Sequence, residues 1–356
     1  MRRIKLVISD FHLGTGARLE DGSQNPEEDF FEEGRLIEFL DYHSTGDFSD
    51  DEVELVINGD FFNMIQGRVD YIIPTEITED IAIRQLSDIL DGHPRLVAAL
   101  NQFARRPLKS LTFIVGNHDF GLVFPGVQAL LRERLNCPLK LVEDIYAFDE
   151  VHVEHGDRYE PVHAFDRRDN ILERPGQPPI LNLPWGTFFH IHYVQHIKRR
   201  RPYIDKVTPF RNYLIWAALN DFPFFLFAIT KLIVFVFATA IYGAVGPRRF
   251  GVSSLFTLLR QNQTDHELRA ARRMLLSQPI HTVIFGHTHH PLYRQFAPGK
   301  EYFNTGCWNP VTNMDIEGLG YQSIFTYAHL EWRDSRWRTR LLRFKGRPSI
   351  VESFWG

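Results

Sequence analysis

Short apolar runs recur along the chain, and each is followed at once by polar side chains of the kinds found in active sites. Runs of four to six β-branched and aromatic residues that end at Gly or Asp are typical of buried strands. The runs are Ile4–Ile8, Val53–Ile57, Leu111–Val115, Val151–Val153 and His281–Phe285. In layered α/β proteins, ligands bind beyond the carboxyl ends of the strands. The pattern therefore predicts an α/β fold with a site assembled where these strands end.

The segments around these runs indicate how the sheet is covered. Helix-like spacing marks Glu32–Tyr42 and Ile77–Phe103, and Pro94 is expected to break the second helix. Gln322–Tyr327 and Trp337–Phe344 have the pattern of further strands, which we expect to form a second sheet. The predicted fold is a two-sheet sandwich flanked by helices, in the order α/β/β/α.

One segment does not fit a soluble domain. Residues 222–246 form a 25-residue apolar stretch whose single charge is Lys231. About 20 apolar residues suffice to cross a bilayer. Basic residues precede the stretch at 198–201 and follow it at 248–249. An unusually apolar core helix is the alternative, although core helices are normally amphipathic.

The charge distribution bears on partners and location. The chain has 40 Lys and Arg against 44 Asp and Glu, so no overall basic field attracts nucleic acid. Residues 195–275 carry 13 basic and 4 acidic side chains, but these flank apolar sequence, which favours anionic lipid over nucleic acid. Two cysteines and a first apolar run too short for a signal peptide predict a cytoplasmic protein at the inner face of the membrane.

Carboxylates, an amide and imidazoles follow the predicted strands. Manganese, iron, zinc and nickel all accept these ligands. Side chains two apart in an extended chain point the same way, so Asp10 with His12, and His287 with His289, are expected to aim at one cluster. Two ions about 3.5 to 4 Å apart need a shared ligand, and a carboxylate with two oxygens can bridge them. Asp60 is the candidate bridge.

These residues form five motif blocks in order along the chain. The blocks are Asp10-Phe11-His12, Gly59-Asp60, Gly116-Asn117-His118-Asp119, His155-Gly156-Asp157 and Gly286-His287-Thr288-His289. The set resembles the calcineurin-like metallophosphoesterases over residues 4–309, apart from an insertion. The resemblance implies one ion held by Asp10, His12, Asp60 and His289, and a second held by Asp60, Asn117, His155 and His287. Two divalent ions are therefore expected, with manganese favoured and iron, zinc or nickel as alternatives.

The resemblance also implies a mechanism. A hydroxide that bridges the two ions would attack phosphorus in line. His118, beside the ligand Asn117, is the candidate general acid for the leaving oxygen, and Asp119 is expected to orient its imidazole. The other histidines, including His163 and His190, are expected to be structural or exposed. Whether His290 contacts substrate stays open.

The position of the apolar segment restricts its topology. It lies between His155 and His287, which must share one site, so a single membrane crossing is excluded. A hairpin with Tyr213–Leu219, a re-entrant insertion or an interfacial helix remains possible. We expect residues 1–159 and 276–356 to form the catalytic domain, and residues 160–275, called the insertion below, to form a membrane-associated helical cap.

Within the family, the chain most resembles the UDP-2,3-diacylglucosamine pyrophosphatases of lipid A synthesis. The resemblance rests on the opening Ser9-Asp10-Phe11-His12-Leu13-Gly14, on His155-Gly156-Asp157-Arg158, and on the large insertion. The chain departs from that branch at His118, where its best-known members carry Arg. The resemblance implies an acylated, lipid-like sugar-nucleotide diphosphate as substrate. The alternative is a soluble nucleotide, nucleic acid or phosphoprotein substrate, with the insertion acting only as a membrane anchor.

Overall fold

Strands and helices alternate through the first half of the chain, as the apolar runs predict. The computed structural model describes residues 1–19, 21–25, 27–70, 72–163, 169–201, 204, 207–208, 210–245, 263–314 and 320–346. The strands are β1 (Arg3–Ile8), β2 (Glu52–Asn58), β3 (Lys109–Ile114), β4 (Leu139–Val142), β5 (Tyr146–Phe148), β6 (Val151–Val153), β7 (Ile171–Arg174), β8 (Gln177–Leu181), β9 (Val207–Thr208), β10 (Thr282–Phe285), β11 (Leu292–Ala297), β12 (Lys300–Asn304), β13 (Val311–Asn313), β14 (Gly320–Gln322), β15 (Thr326–Arg333) and β16 (Arg336–Arg343). The helices are α1 (Glu33–Tyr42), α2 (Glu79–Gly92), α3 (Pro94–Arg105), α4 (Pro125–Leu135), α5 (Trp185–Phe189), α6 (Gln195–Lys198), α7 (Phe210–Asn220), α8 (Phe222–Val245) and α9 (Gln263–Ser277). All five predicted strands are confirmed, and Pro94 begins α3 as expected of a proline at a helix N-terminus.

Two sheets form the centre of the molecule. The first has the order β16-β15-β1-β2-β3-β4, and β1 to β4 run parallel to one another. The second has the order β11-β12-β10-β6-β5, with β12, β10 and β6 parallel. Because the carboxyl ends of parallel strands meet at one edge of a sheet, the polar residues that follow β1, β2, β3, β6 and β10 gather at the same end of the sandwich.

The prediction for the last strands is wrong in two respects. β15 and β16 join the first sheet, where β15 runs antiparallel to β1, instead of forming the second sheet. This pairing satisfies the edge of β1, which would otherwise present unpaired backbone groups. Gln322–Tyr327 is not one strand either, because β14 ends at Gln322 and β15 begins at Thr326.

Apolar layers on both sides of each sheet hold the sandwich together. Between the sheets, Val7 and Ile114 of the first pack in one cluster with Val153 and Ile284 of the second. Helices α1 to α4 contribute to a cluster that covers the outer side of the first sheet. On the outer side of the second sheet, α9 packs through Leu275 and neighbouring residues. The predicted α/β/β/α sandwich is confirmed.

The insertion adds a hairpin of β7 and β8, a helical segment from α5 to α6 with a π-helical turn at His190–Val194, and the adjacent helices α7 and α8. Among the described residues, one helix, α8, is long enough and apolar enough to cross a membrane. The alternative of a buried core helix does not fit this exposure, because the Phe237 side chain is 66% exposed. Gly246 and the basic pair at 248–249 lie outside the described residues.

The insertion is attached to the sandwich at the end where the polar residues gather. Strand β9 of the insertion pairs in parallel with β13, which follows the second sheet in the chain. Gln195 Nε2 donates a hydrogen bond to Gln66 Oε1 over 2.6 Å. These contacts place the α5–α6 segment over the strand ends.

Candidate metal centre

The backbone turns sharply where the proposed ligands leave the strands. Asp10 and His12 follow β1 with φ values of 58° and 51°, and Asp60 follows β2 with φ 52°. His287 and His289 follow β10 with φ values of 65° and 60°. The explanation from an extended chain is therefore wrong, since left-handed turns bring each pair of side chains together. Such conformations cost on the order of 1–3 kcal/mol each and concentrate at functional sites.

Two glycines of the motif blocks are required by close approach. A Cβ at Gly116 would collide with the Asp60 carboxylate. A Cβ at Gly59, whose φ is +77°, would collide with the His155 ring. The Gly-Asp and Gly-Asn blocks thus need glycine so that neighbouring strand ends can lie against each other.

Asp10, His12 and His289 form the first group of donors. Their ligand atoms all lie within 4.8 Å of one another. His12 Nε2 is 3.0 Å from His289 Nε2, and His289 Nε2 is 3.4 Å from Asp10 Oδ1. The backbone N–H of His287 donates a hydrogen bond to the Asp10 carboxylate over 3.0 Å, which fixes the orientation of that carboxylate. The three donors therefore converge on one point.

Asp60 lies between the two groups of donors. Its Oδ1 accepts a hydrogen bond from the backbone N–H of His118 over 2.7 Å. Its Oδ2 is 3.2 Å from His155 Nε2 and 3.9 Å from His12 Nε2. The Oδ2 atom of Asp60, the candidate bridge, thus lies near both groups. Burial would raise the pKa of Asp60, but the nearby His155 lowers it well below its ordinary value.

His155, Asn117 and His287 complete the second group. His155 Nδ1 donates to the backbone carbonyl of Asn58 over 2.9 Å, which leaves Nε2 facing Asn117 Oδ1 at 3.1 Å. Burial would lower the pKa of His155, but the Asp60 carboxylate raises it well above its ordinary value. Asp60, His155 and His287 have ligand atoms within 4.8 Å of one another. The structure thus brings all seven predicted ligands into one cluster, in which the His289 side chain is the most exposed at 40%.

The donor set fits two divalent ions. Two converging groups of carboxylate, amide and imidazole donors share Asp60, and manganese, iron, zinc and nickel accept such ligands. Asp60 would be the ligand common to both ions, as two ions this close together require.

His118 has a different partner from the one expected. Its Nδ1 lies 2.9 Å from Asn63 Oδ1, an acceptor, so Nδ1 carries a hydrogen and Nε2 is the atom left to exchange a proton. The Asp119 carboxylate instead accepts hydrogen bonds from the backbone N–H groups of Gly116 and Phe61, over 2.6 and 2.9 Å. Burial raises the pKa of Asp119 to about 7. In the structure, Asn63 orients the His118 ring and Asp119 holds the loop.

Five of the seven donors line a cleft to which the insertion contributes. The residues lining it are His12, Asp29, Asp60, Gln66, Asn117, His118, Glu160, His163, His190, His287, Thr288, His289, His290, Cys307, Asn309, Pro310 and Val311. The His190 ring lies 5.4 Å from the His118 ring, centroid to centroid. Sequence reasoning missed Asn63, Glu160, His163 and His190. None of them lies in a motif block, so only the tertiary structure reveals them.

Comparison with known proteins identifies the family of the chain. The family model of the calcineurin-like phosphoesterases matches residues 5–291. No curated protein matches the chain. Among solved structures, the chain is similar to a predicted phosphoesterase from Streptococcus pneumoniae TIGR4 (10% identity, 98% of this chain and 94% of that chain, TM-score 0.30). It is also similar to a dimetal phosphatase from Danio rerio (10% identity, 96% and 98% of the two chains, TM-score 0.35). The match over most of its length shows that the chain belongs to the calcineurin-like phosphoesterase family and is a metal-dependent phosphoester hydrolase.

Proposed function

We propose that the enzyme hydrolyses the diphosphate of an acylated sugar-nucleotide, or of a similar lipid-linked substrate, at the surface of a membrane. One observation carries the proposal: the insertion that lines the metal cleft also presents a large exposed apolar face. The resemblance to the UDP-2,3-diacylglucosamine pyrophosphatases supports the same substrate class.

The cleft supplies the chemistry of hydrolysis. Two divalent ions, when bound, neutralise phosphoryl oxygens and lower the pKa of water. Asp10, His12, Asp60 and His289 would hold one ion, and Asp60, Asn117, His155 and His287 the other. We propose manganese for both.

His118 would give the proton that the leaving oxygen needs, with Asn63 holding the ring. Burial lowers the pKa of His118 well below its ordinary value. An anionic phosphate beside the ring would raise that pKa again, because a negative charge stabilises the imidazolium. The proton transfer is therefore tied to substrate binding.

The apolar face consists of outward residues of α7 and α8. These residues, each 45–79% exposed, are Ile215, Trp216, Leu219, Phe222, Leu226, Ile233, Val234, Phe237 and Ile241. The opposite side of α8 packs on the protein, where Phe235 lies 5.5 Å from Trp185 and 5.7 Å from Phe189 between ring centroids. A helix with one packed and one exposed apolar side suits an interfacial position on a bilayer.

Basic side chains beside the apolar face favour anionic lipid. Arg199, Arg200 and Lys231 are exposed. The Arg200 guanidinium lies 3.7 Å from the centroid of the Phe227 ring, which places this charge against α8. A cation at the edge of an inserted apolar surface meets lipid headgroups. We therefore propose an anionic membrane surface, the inner face of the cytoplasmic membrane, as the partner.

Strand pairing connects the apolar face with the cleft. Val311, the first residue of β13, lines the cleft, and β13 pairs with β9. Helix α7 begins two residues after β9 ends. An acyl chain on the apolar face could thus belong to a substrate whose diphosphate reaches the metal ions.

The test is manganese-dependent hydrolysis by the purified full-length protein in detergent. Three substrates are compared: a diacylated sugar-nucleotide diphosphate, its deacylated form and a simple aryl phosphodiester. We expect kcat/KM for the diacylated diphosphate to exceed that for the deacylated form at least tenfold, since burial of apolar surface adds on the order of 0.8 kcal/mol per CH₂.

Equal or greater activity on the soluble esters would overturn the proposed substrate class. It would leave a phosphoesterase of a soluble substrate, with the insertion as a membrane anchor. The Asp60→Asn protein, assayed on all three substrates, controls for contaminating hydrolases.

A further inference from the structure

Glu160, the first residue of the insertion, contacts a proposed metal ligand although it lies outside the motif blocks. Its Oε2 is 2.7 Å from His287 Nε2, and the two side chains are 6% and 7% exposed. A carboxylate oxygen accepts and cannot donate, so Nε2 must carry the hydrogen of this bond.

The hydrogen on Nε2 determines which atom of His287 can bind metal. A neutral imidazole protonated on Nε2 has its lone pair on Nδ1. We infer that Glu160 is a positioning residue that sets the tautomer and orientation of His287, and so the affinity of the second metal ion. The inference rests on the proposed ligand role of His287. Carboxylates that hold a ligand imidazole in this way change metal affinity by about 10- to 100-fold.

His155 and His287 are oriented by acceptors from different parts of the molecule. His155 and His287 belong to the same donor group, and the sandwich orients His155 through the backbone carbonyl of Asn58. The insertion orients His287 through Glu160. Each ligand thus has a hydrogen-bond acceptor behind it, but the two acceptors come from different parts of the molecule.

The insertion also packs against His287. The His163 ring lies edge-on to the His287 ring, with 5.1 Å between centroids. Helix α5 adjoins this segment, because the backbone N–H of Gly186 donates to Val162 O over 2.8 Å. A Cβ at Gly186 would meet the His163 ring at 2.5 Å. The segment that carries Glu160 is therefore packed against α5 on one side and against His287 on the other.

The experiment titrates metal-free full-length protein in detergent with MnCl₂, followed by calorimetry and by the electron paramagnetic resonance of coupled manganese pairs. Wild type should bind two ions and show the coupled spectrum. In Glu160→Gln, which keeps the size of the side chain, we expect the second ion to bind about tenfold more weakly; in Glu160→Ala, up to about 100-fold more weakly. The first ion should bind as before in both variants.

Glu154 provides a matched control. Its Oε1 lies 2.7 Å from His152 Nε2, and its side chain is 1% exposed, so it forms a buried carboxylate–imidazole pair that belongs to none of the converging donor groups. Glu154→Gln should leave both manganese affinities unchanged. Thermal melting of each metal-free variant shows whether it is folded, and Glu160→Gln decides the question if Glu160→Ala does not fold.

Two results would overturn the inference. Unchanged affinity for the second ion in Glu160→Gln would show that the contact does not set the ligand. A third ion in wild type that is lost in Glu160→Ala would make Glu160 a direct ligand instead. His287→Ala separates this inference from the proposed site, because a variant that still binds both ions normally would remove His287 from the ligand set altogether.

Discussion

The sandwich buries its apolar side chains, whereas the insertion leaves many of its apolar side chains exposed. Between the sheets, Val7, Ile114 and Ile284 are completely buried. In the insertion, Phe237 and Ile241 are 66% and 65% exposed. A close-packed interior stabilises the left-handed turns that carry the ligands, which a loose scaffold would not maintain. Exposed apolar surface on this scale marks an interaction site. The comparison therefore places the donor cluster in the sandwich and supports the proposal that the insertion binds an apolar partner.

The largest effect is expected for Asp60→Asn, which tests the role of the sandwich in hydrolysis. An amide at this position removes the charge that faces both donor groups. We expect hydrolysis to fall at least a thousandfold, since metal ions supply several kcal/mol of transition-state stabilisation and about 1.4 kcal/mol corresponds to a factor of ten. Steady-state kinetics with an aryl phosphodiester measures the loss.

Asp51→Asn is the control for this change. Asp51 is also buried, but it pairs with Arg2 at the opposite end of the first sheet. Its variant should keep its turnover number. Full activity in Asp60→Asn would contradict a dinuclear site built on Asp60.

The next largest effect is expected for His118→Gln. General acid catalysis contributes about 100- to 10,000-fold, and its share shrinks when the leaving group is already a good one. We therefore expect a large loss with an alkyl ester and a small loss with a nitrophenyl ester. Asn63→Ala should follow the same pattern more weakly, because it frees the ring without removing it. An equal loss with both esters would indicate a structural role for His118.

Much of the sandwich could be predicted because its signals are local. Strand-length apolar runs ending in Asp, Asn or His marked β1, β2, β3, β6 and β10. The sheet assignment of β15 could not be predicted, since the partner of an edge strand depends on long-range pairing. The ligand set followed from motif order, but the left-handed turns at Asp10 and His287 did not.

The sequence did not reveal which residues outside the motif blocks reach the site. His163 and His190 lie outside the motif blocks, so the motifs do not separate them from structural histidines. Asn63 follows the Gly-Asp block closely, yet only folding shows its amide against His118. The apolar segment was recognised from its length and composition, whereas its division into a packed and an exposed side needed the structure.

The insertion's role is tested by making its apolar face polar. Leu226, Ile233 and Phe237 lie on the exposed side of α8. Replacing all three by Asn should weaken binding to anionic vesicles about 100-fold, at roughly 1 kcal/mol for each partly buried side chain. Hydrolysis of a soluble aryl ester should not change. The measurement is co-sedimentation with lipid vesicles.

The matched control changes three exposed apolar residues outside the insertion. Ile72, Ile145 and Leu276 are 69%, 42% and 54% exposed. Their triple Asn variant should bind vesicles like wild type. If it loses binding as much as the α8 variant does, the protein has no dedicated lipid-binding face and the contrast between the two regions fails.

The smallest effect concerns the charges beside the apolar face. Arg199→Gln with Arg200→Gln should weaken binding to anionic vesicles roughly 30-fold, at about 1 kcal/mol per basic residue, and leave binding to neutral vesicles unchanged. Arg201→Gln is the control from the same cluster, because Arg201 already pairs with Asp221. Its loss should be smaller, since its charge is balanced within the protein. Equal losses on neutral and anionic vesicles would show that these arginines act through packing, such as that of Arg200 on Phe227, and that the apolar face binds bilayers irrespective of headgroup charge.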